Sequence, residues 1–266
     1  MNSPSFARSA VLGLALALLA CATPALALRE LTTDRPDRTE SPFTVDARHF
    51  QLEMDGVAYA HDREKDATLE AWGAGLLNLK AGVHPSADVQ FLLQVWDEQK
   101  LKIGGEPNEV SRGVGDGALR FKWNFRGNDG GDFALGMMPF VSAPLRENVA
   151  ADRATLGLIV PASWTLTDRL GLGAMAEVDL APDGDLAGHH ADWIASASLA
   201  RDWTPALGSY LELYGLASPG RGSECTLDTG FTLGIGVNFQ LDAGANFGIS
   251  GAAQDVVLFC GVSMRR

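Results

Sequence analysis

The sequence contains few cysteines and, beyond its first 27 residues, no long apolar run. Three of its 266 residues are cysteines, and only Cys225 and Cys260 lie beyond residue 27. No stretch after that point approaches the roughly 18 consecutive apolar residues of a transmembrane helix. This excludes helical membrane spans but not strands, because a transmembrane strand needs only about 9–11 residues, every second one apolar.

Basic residues are also scarce, with 21 Lys and Arg against 33 Asp and Glu and a formal net charge of −12. Phosphate backbones need basic partners, so no nucleic-acid partner is predicted. G-x-S-x-G, H-E-x-x-H and glycine-rich phosphate loops are missing from the sequence, and neither an enzyme nor a cofactor is predicted. His189 and His190 would point to opposite faces of a strand and chelate a metal poorly. Scattered Ser, His and Asn residues leave a barrel hydrolase as a weaker alternative.

Residues 1–27 have the pattern of a cleaved secretory signal peptide. Arg8 precedes an apolar region of eleven residues, Ala10–Ala20, which is too short to span a bilayer of about 30 Å. Ala25-Leu26-Ala27 is a small-x-small cleavage site, so the mature chain is expected to begin at Leu28. Leu18-Leu19-Ala20-Cys21 offers a competing interpretation as a lipobox with a lipidated Cys21. In both interpretations the protein leaves the cytoplasm.

Apolar and polar residues alternate in twelve segments between Phe50 and Met264. The fourth is the sharpest, since Leu119, Phe121, Trp123 and Phe125 alternate with Arg120, Lys122 and Asn124. Tight turns alternate with longer polar loops, which are expected at Gln99–Arg112, Pro144–Ala151, Ala181–His189 and Ser218–Glu224. The tenth segment is predicted to run through Phe231–Phe239. Residues 47–266 are therefore predicted to form an all-β fold, an antiparallel transmembrane β-barrel of about 12 strands.

Alternation alone does not separate a membrane barrel from a soluble periplasmic β-sandwich that binds a ligand. In a sandwich the apolar faces pack inward, whereas in a membrane barrel they contact lipid. The polar faces are rich in glycine, and aromatic residues such as Trp123, Trp164 and Trp203 lie near strand ends, where an interfacial girdle is expected. Both features favour the barrel.

The segment Thr33–Val45, before the first strand, is unusually dense in charge and proline. Its two prolines favour extended backbone rather than helix. Its sequence T-D-R-P-D-x-T-E-S-P-F-T-V, followed by H-F-Q-L-E, resembles the N-terminal signature of a family of outer-membrane channels named for the meta-pathway of phenol degradation. The match is dense over residues 32–53, and Gly113-Val114-Gly115-Asp116 is similar as well.

The resemblance implies an outer-membrane β-barrel with a small-molecule pore and supplies no catalytic residues. The expected partners are therefore outer-membrane lipid, the outer-membrane assembly machinery and a small solute, aromatic by resemblance only. Family members tend to end on an aromatic residue, whereas this chain ends in Arg265-Arg266. A non-transporting structural barrel of the envelope is the alternative function.

Two sets of residues are predicted to carry the function. Residues 28–46 form an N-terminal extended segment that either plugs the lumen or lies outside as a periplasmic arm. The channel would be passive and gated by this segment and the Gln99–Arg112 loop. The predicted plug residues are Asp34, Arg35, Asp37, Arg38 and Glu40. The predicted pore-lining residues are Gln51, Glu53, Glu70, Lys80, Gln94, Arg120, Lys122, Glu177, Asp179 and Glu212. These charges would either select solutes or simply pair with one another across a narrow interior. Cys225 and Cys260 are expected to be free thiols, because one strand is predicted to lie between the two strands that carry them.

Overall fold

A computed structural model describes residues 28–104, 106–145, 154–183, 188–220 and 222–266. The predicted signal peptide and lipobox lie outside these residues. Within these described residues, thirteen antiparallel strands form one sheet. They are β1 (Phe50–Glu64), β2 (Ala67–His84), β3 (Ala87–Ile103), β4 (Glu109–Gly113), β5 (Asp116–Arg126), β6 (Phe133–Pro144), β7 (Thr155–Thr167), β8 (Leu170–Pro182), β9 (His189–Asp202), β10 (Leu207–Ser218), β11 (Gly222–Gly234), β12 (Phe239–Gly248) and β13 (Val256–Arg265). Among the described residues no helix is long and apolar enough to cross a membrane.

The sheet closes on itself into a barrel of twelve strands. β1 pairs with β2 on one side and with β13 on the other, and Phe50 and Arg266 exchange two backbone hydrogen bonds of 2.8 Å. The short β4 pairs with Asp97–Leu101 at the far end of β3, while β5 pairs with Ala87–Leu93 of the same strand. β4 and β5 therefore occupy one place in the barrel wall, and the predicted strand number is confirmed.

The outer surface of the barrel is apolar and the interior is polar. On β5 the side chains of Leu119 and Phe125 are 52% and 51% exposed, whereas Lys122 between them is 1% exposed. A soluble sandwich would show the reverse, because it buries its apolar faces. Trp123, Phe125, Trp164 and Trp203 are exposed near the barrel end that carries the termini. This is the arrangement of a transmembrane barrel with an interfacial aromatic girdle.

Several predicted boundaries are wrong. The expected strand Phe231–Phe239 ends at Gly234, and residues 235–238 form a turn in which the Ile235 amide bonds to the Phe239 carbonyl and Gly236 has a φ of 67°. The prediction was wrong here because Ile235 and Val237 continue the alternation of apolar residues through the turn. The expected Gln99–Arg112 loop is mostly strand, since β3 runs to Ile103 and β4 begins at Glu109. The expected Ser218–Glu224 loop is reduced to residues 219–221 by the same kind of extension.

The connections fall into two groups at opposite ends of the barrel. The end with Phe50 and Arg266, here the terminal end, carries the turns at 85–86, 168–169, 203–206 and 235–238 together with the connection 127–132. The opposite end, here the loop end, carries connections that include 104–108, 145–154 and 183–188. Part of each of these three lies outside the described residues, so the predicted length of the Pro144–Ala151 and Ala181–His189 loops stays a prediction.

Candidate functional site

The N-terminal segment enters the barrel at the terminal end, crosses the lumen and returns to the same end. Its two ends meet in a neck, where Arg29 Nε donates to Asp46 Oδ1 at 2.7 Å. Arg265 of β13 contacts both ends, donating to the Glu30 carbonyl oxygen at 3.3 Å and to Asp46 Oδ2 at 3.5 Å. Between these ends the segment contacts the inward-facing side chains of strands around the barrel.

Asp34 lies on a basic wall that is formed by Lys80 of β2 and Lys122 of β5. Its two carboxylate oxygens accept from Lys80 Nζ at 2.5 Å and from Lys122 Nζ at 2.6 Å. Glu53 of β1 joins this group, since it pairs with Lys80 and accepts the Asp34 backbone amide at 3.1 Å. Burial raises the pKa of Asp34, but the charges of Lys122 and Lys80 outweigh it and hold that pKa well below its ordinary value.

Glu40 extends the contact with the basic wall. It accepts from Arg120 Nη1 of β5 at 2.5 Å, and its backbone amide lies 3.4 Å from Met175 Sδ of β8. Asn124 of β5 donates to the Pro42 carbonyl oxygen at 2.9 Å. This part of the segment therefore contacts both β5 and β8.

Arg35 contacts carboxylates of β12 and β1. Its Nη2 donates to Asp242 Oδ1 at 2.6 Å and its Nε to Asp242 Oδ2 at 3.2 Å, which is a bidentate pair. Its Nη1 pairs with Asp55. The Arg35 guanidinium carbon also lies 5.9 Å from the centre of the Phe259 ring.

The side chain of Glu212 on β10 binds the backbone at the tip of the segment. Its two oxygens accept the amides of Arg38 at 2.8 Å and Thr39 at 2.7 Å. The Thr39 hydroxyl lies 2.6 Å from that of Ser196 on β9. The Arg38 guanidinium stacks on Tyr214 with its carbon 3.4 Å from the ring centre.

Asp37 sits beside Glu212 at the tip. Burial, and then the negative charge of Glu212, raise the pKa of Asp37 to about 8 from 3.8. The pKa values of two carboxyl groups in this segment are therefore shifted in opposite directions, because Asp34 faces two lysines and Asp37 faces another acid.

Cavities remain on both sides of the segment. A loop-end cavity of about 680 Å³ is lined mainly by small and apolar side chains, among them Ala58, Leu76, Leu92 and Val257. These four also line an inner cavity of about 340 Å³, whose remaining walls include Arg35 and Arg38. A terminal-end cavity of about 570 Å³ lies between Leu28–Leu31 and the turns at the other end.

The predicted site residues are not all brought to the segment. Gln51, Glu53, Lys80, Arg120, Lys122 and Glu212 contact it or its direct partners. Gln94 lines the loop-end cavity, and Glu177 and Asp179 follow Met175 on the same face of β8. Glu70 is not brought to this group, since its carboxylate lies 3.5 Å from Lys102 and 3.8 Å from Lys100.

Several contacts were missed from the sequence. Asp55 and Asp242 hold Arg35, Asp88 accepts the Val45 amide at 2.9 Å, and Asn128 bonds Thr44 through both its oxygen and its nitrogen. Asp55 and Asp88 continue the polar face of their strands, so the alternation could have revealed them. Asp242 could not be found in this way, because the alternating segment predicted here, Ala243–Ser250, begins one residue later.

Two side issues concern metal and thiol chemistry. In the part of the chain that the structure describes, no group of His, Cys, Asp and Glu could hold a metal ion. His190 instead lies 2.8 Å from Asp183 and 3.4 Å from Asp192, within or beside β9. Cys225 and Cys260 are free thiols, and β12 lies between their strands.

The comparisons with known proteins agree with this architecture. The family described as "Putative MetA-pathway of phenol degradation" matches residues 33–265. The chain belongs to this family. Comparison with curated protein sequences finds no match. Among solved structures, an outer membrane channel from Pseudomonas putida F1 has a TM-score of 0.66 at 14% identity, covering 88% of this chain and 100% of that one.

Two porins of known structure also resemble this barrel. The NanC porin has a TM-score of 0.52 at 10% identity, over 79% of this chain and 98% of that one. The KdgM porin in complex with oligogalacturonate has a TM-score of 0.51 at 6% identity, over 81% and 98%. At such low identities the likeness shows the fold alone, which is that of an outer-membrane barrel.

Proposed function

We propose that this protein is a passive outer-membrane channel for small, partly apolar solutes, and that residues 28–46 are its plug. The observation that carries the proposal is the charge match between segment and lumen. Asp34 and Glu40 pair with the basic side chains of β2 and β5, whereas Arg35 pairs with acidic ones on β1 and β12. A periplasmic arm would need no such match.

The nature of the solute follows from the cavity walls. Ala58, Leu76, Leu92 and Val257 offer apolar surface, and Gln94 offers an amide for hydrogen bonds. Such walls suit a molecule with an apolar body and few polar groups. Aromatic solutes fit this description, in line with the name of the family.

We infer transport rather than catalysis, because most charged groups at the plug are held in ion pairs and hydrogen bonds with the barrel wall. Outer-membrane lipid contacts the apolar exterior. The assembly machinery would bind the final strand β13, which in this chain ends beside Arg266 instead of an aromatic residue.

Conductance of the refolded mature protein in a planar bilayer, with heat-modifiable migration on a gel, tests the proposal. The intact protein should be heat-modifiable with low or rare conductance, and deletion of Leu28–Val45 should open discrete conductance steps. A folded deletion variant that does not conduct would instead indicate a structural barrel.

Matched substitutions test the pore-lining role. Glu53→Gln removes a carboxylate that bonds the Asp34 amide and Lys80, so conductance or its gating should change. Glu70→Gln removes a carboxylate that contacts only Lys100 and Lys102 among its ion pairs in the described chain, so it should leave conductance unchanged. Equal effects of the two would contradict the assignment.

A further inference from the structure

The inner cavity and the terminal-end cavity lie on opposite sides of the plug but against the same two strands. The inner cavity touches Asn246 of β12 and Phe259 of β13. The terminal-end cavity touches Gln240 of β12 and Arg265 of β13. A route along these strands would therefore join two spaces that already exist.

The stretch of wall between the two cavities carries only small side chains. On β12 the inward positions between Gln240 and Asn246 are Asp242 and Gly244, and on β13 Gly261 and Ser263 lie between Phe259 and Arg265. By contrast, the wall of β2 and β5 at the plug is filled by Lys80, Lys122 and Arg120. The inward side chains of β12 and β13 are consequently small at this height, and a side chain of the plug lies against them.

That side chain is Arg35. A Cβ atom on Gly261 would lie 2.3 Å from Arg35 Nη2, so the guanidinium rests directly against this glycine. The guanidinium is held by Asp242 and Asp55, and nearby Gln240 Nε2 donates to the Thr33 hydroxyl at 3.2 Å. The part of the barrier that rests against Gly261 is thus a flexible side chain rather than backbone.

The remainder of the plug is fixed more firmly. Glu212 binds the amides of Arg38 and Thr39, Glu53 binds the amide of Asp34, and Asp88 binds the amide of Val45. These bonds hold the main chain, which a change of rotamer does not release. Moving Arg35 breaks one side chain's bonds, whereas expelling the plug breaks all of them together.

We propose that solutes pass between the plug and strands β12–β13 while the plug stays in the barrel, and that Arg35 is the gate of this route. Rotation of the guanidinium away from Asp242 joins the inner and terminal-end cavities. This inference rests on the proposed channel function and specifies where in the channel the solute moves.

The test locks the plug in place with a disulfide. In a background of Cys225→Ala and Cys260→Ala, Thr39→Cys and Ser196→Cys would be joined, since the two hydroxyl oxygens they replace lie 2.6 Å apart. Single-channel conductance in potassium chloride is then measured for the oxidised protein with and without Arg35→Ala. Arg38→Ala is the control, because it removes the same charge from the other side of the plug, where the guanidinium stacks on Tyr214.

The locked Arg35→Ala variant is expected to gain conductance steps that the locked parent and the locked Arg38→Ala variant lack. Reduction of the disulfide should then add little further conductance. If the locked Arg35→Ala variant stays closed and reduction opens it, the plug must leave and the route is wrong. If even the Leu28–Val45 deletion does not conduct, the channel function itself fails, which is a separate outcome.

Asp242→Asn is a second way to free Arg35 if Arg35→Ala does not give a heat-modifiable barrel. A second measurement maps the route by thiol modification in the Cys-free Arg35→Ala background. In the Ser263→Cys variant, whose new thiol lies in the barrier stretch of β13, a charged methanethiosulfonate reagent should block the conductance. In the Ser198→Cys variant, at the next inward position after Ser196 on β9, the reagent should reduce the conductance less. Equal block of conductance at both positions would overturn the route.

Discussion

Neutralising Asp34 should release the plug without unfolding the barrel. Asp34→Asn keeps the size of the side chain but removes the charge that faces both Lys80 and Lys122. Lys80 retains Glu53 as a partner, whereas Asp34 is the only carboxylate within ion-pair distance of Lys122 in the described part of the chain. Because Lys122 is 1% exposed, it would be left charged and buried without a carboxylate at ion-pair distance in the described part of the chain.

The magnitude follows from that burial. Removing one partner of a buried ion pair typically costs about 3–5 kcal/mol. Release of the plug gives Lys122 water in place of the missing carboxylate, so most of this cost should appear in the equilibrium between bound and released plug. Since about 1.4 kcal/mol corresponds to a factor of ten, the released fraction should rise by roughly two to three orders of magnitude.

Limited proteolysis measures this equilibrium, because trypsin can cleave after Arg38 only when the plug leaves the lumen; Arg35 precedes Pro36 and is not a trypsin site. Asp34→Asn should be cleaved much faster than the parent, while the barrel remains heat-modifiable. Asp129→Asn is the matched control, since its carboxylate is 84% exposed and lies 3.5 Å from Arg29. Equal cleavage rates of the two variants would refute the reasoning. The double variant Asp34→Leu with Lys122→Met leaves no unpaired charge at position 122, so it should regain protection from trypsin. A double variant that is cleaved as fast as Asp34→Asn would also refute the reasoning.

Two further predictions use the same protease readout. The pKa of Asp37 is raised from 3.8 to about 8, so the bound plug holds this proton more tightly than the released plug. The bound plug should therefore become less stable as the pH rises toward about 8, and its stability should then level off. Asp37→Asn should remove this pH dependence. A plug that is equally protected from the protease across this pH range would contradict the prediction. Gly82→Ala should loosen the neck, because its Cβ would lie 2.0 Å from the Asp46 carbonyl oxygen. Gly171→Ala, whose nearest contact would be 3.8 Å away, should leave cleavage unchanged; equal loosening would show that the neck contact is unimportant.

The barrel could be predicted from the sequence because its signal is local and repeated. Leu119, Phe121, Trp123 and Phe125 alternate with polar residues for the physical reason that lipid and lumen lie on opposite faces of a strand. The prediction failed where that reason does not hold. Ile235 and Val237 continue the alternation into a tight turn, and Gln99–Arg112 is polar although it is mostly strand.

The partners within the lumen could not be predicted in the same way. Arg35 pairs with Asp242, which is 207 residues away in the sequence. Which inward residues reach the plug depends on strand stagger and on the height at which the segment crosses the lumen. Glu70 shows the limit of pattern alone, since it lies on β2 together with Lys80 and yet pairs with Lys100 and Lys102.

The positions of the charges also bear on whether the lumen residues could pair without the plug. Lys80 and Lys122 lie on β2 and β5, which only β3 separates, whereas Glu212 lies on β10, five strands away from each of them in the twelve-stranded ring. Side chains anchored on opposite walls meet only if the barrel is narrow, and here the segment lies between them. Its Asp34 faces Lys122 and its Arg35 faces Asp242, so removing the segment would leave these two buried charges without those partners and accessible only to water. Those walls thus have the charge pattern of a channel that becomes hydrated when the plug is displaced, rather than of a filled structural barrel.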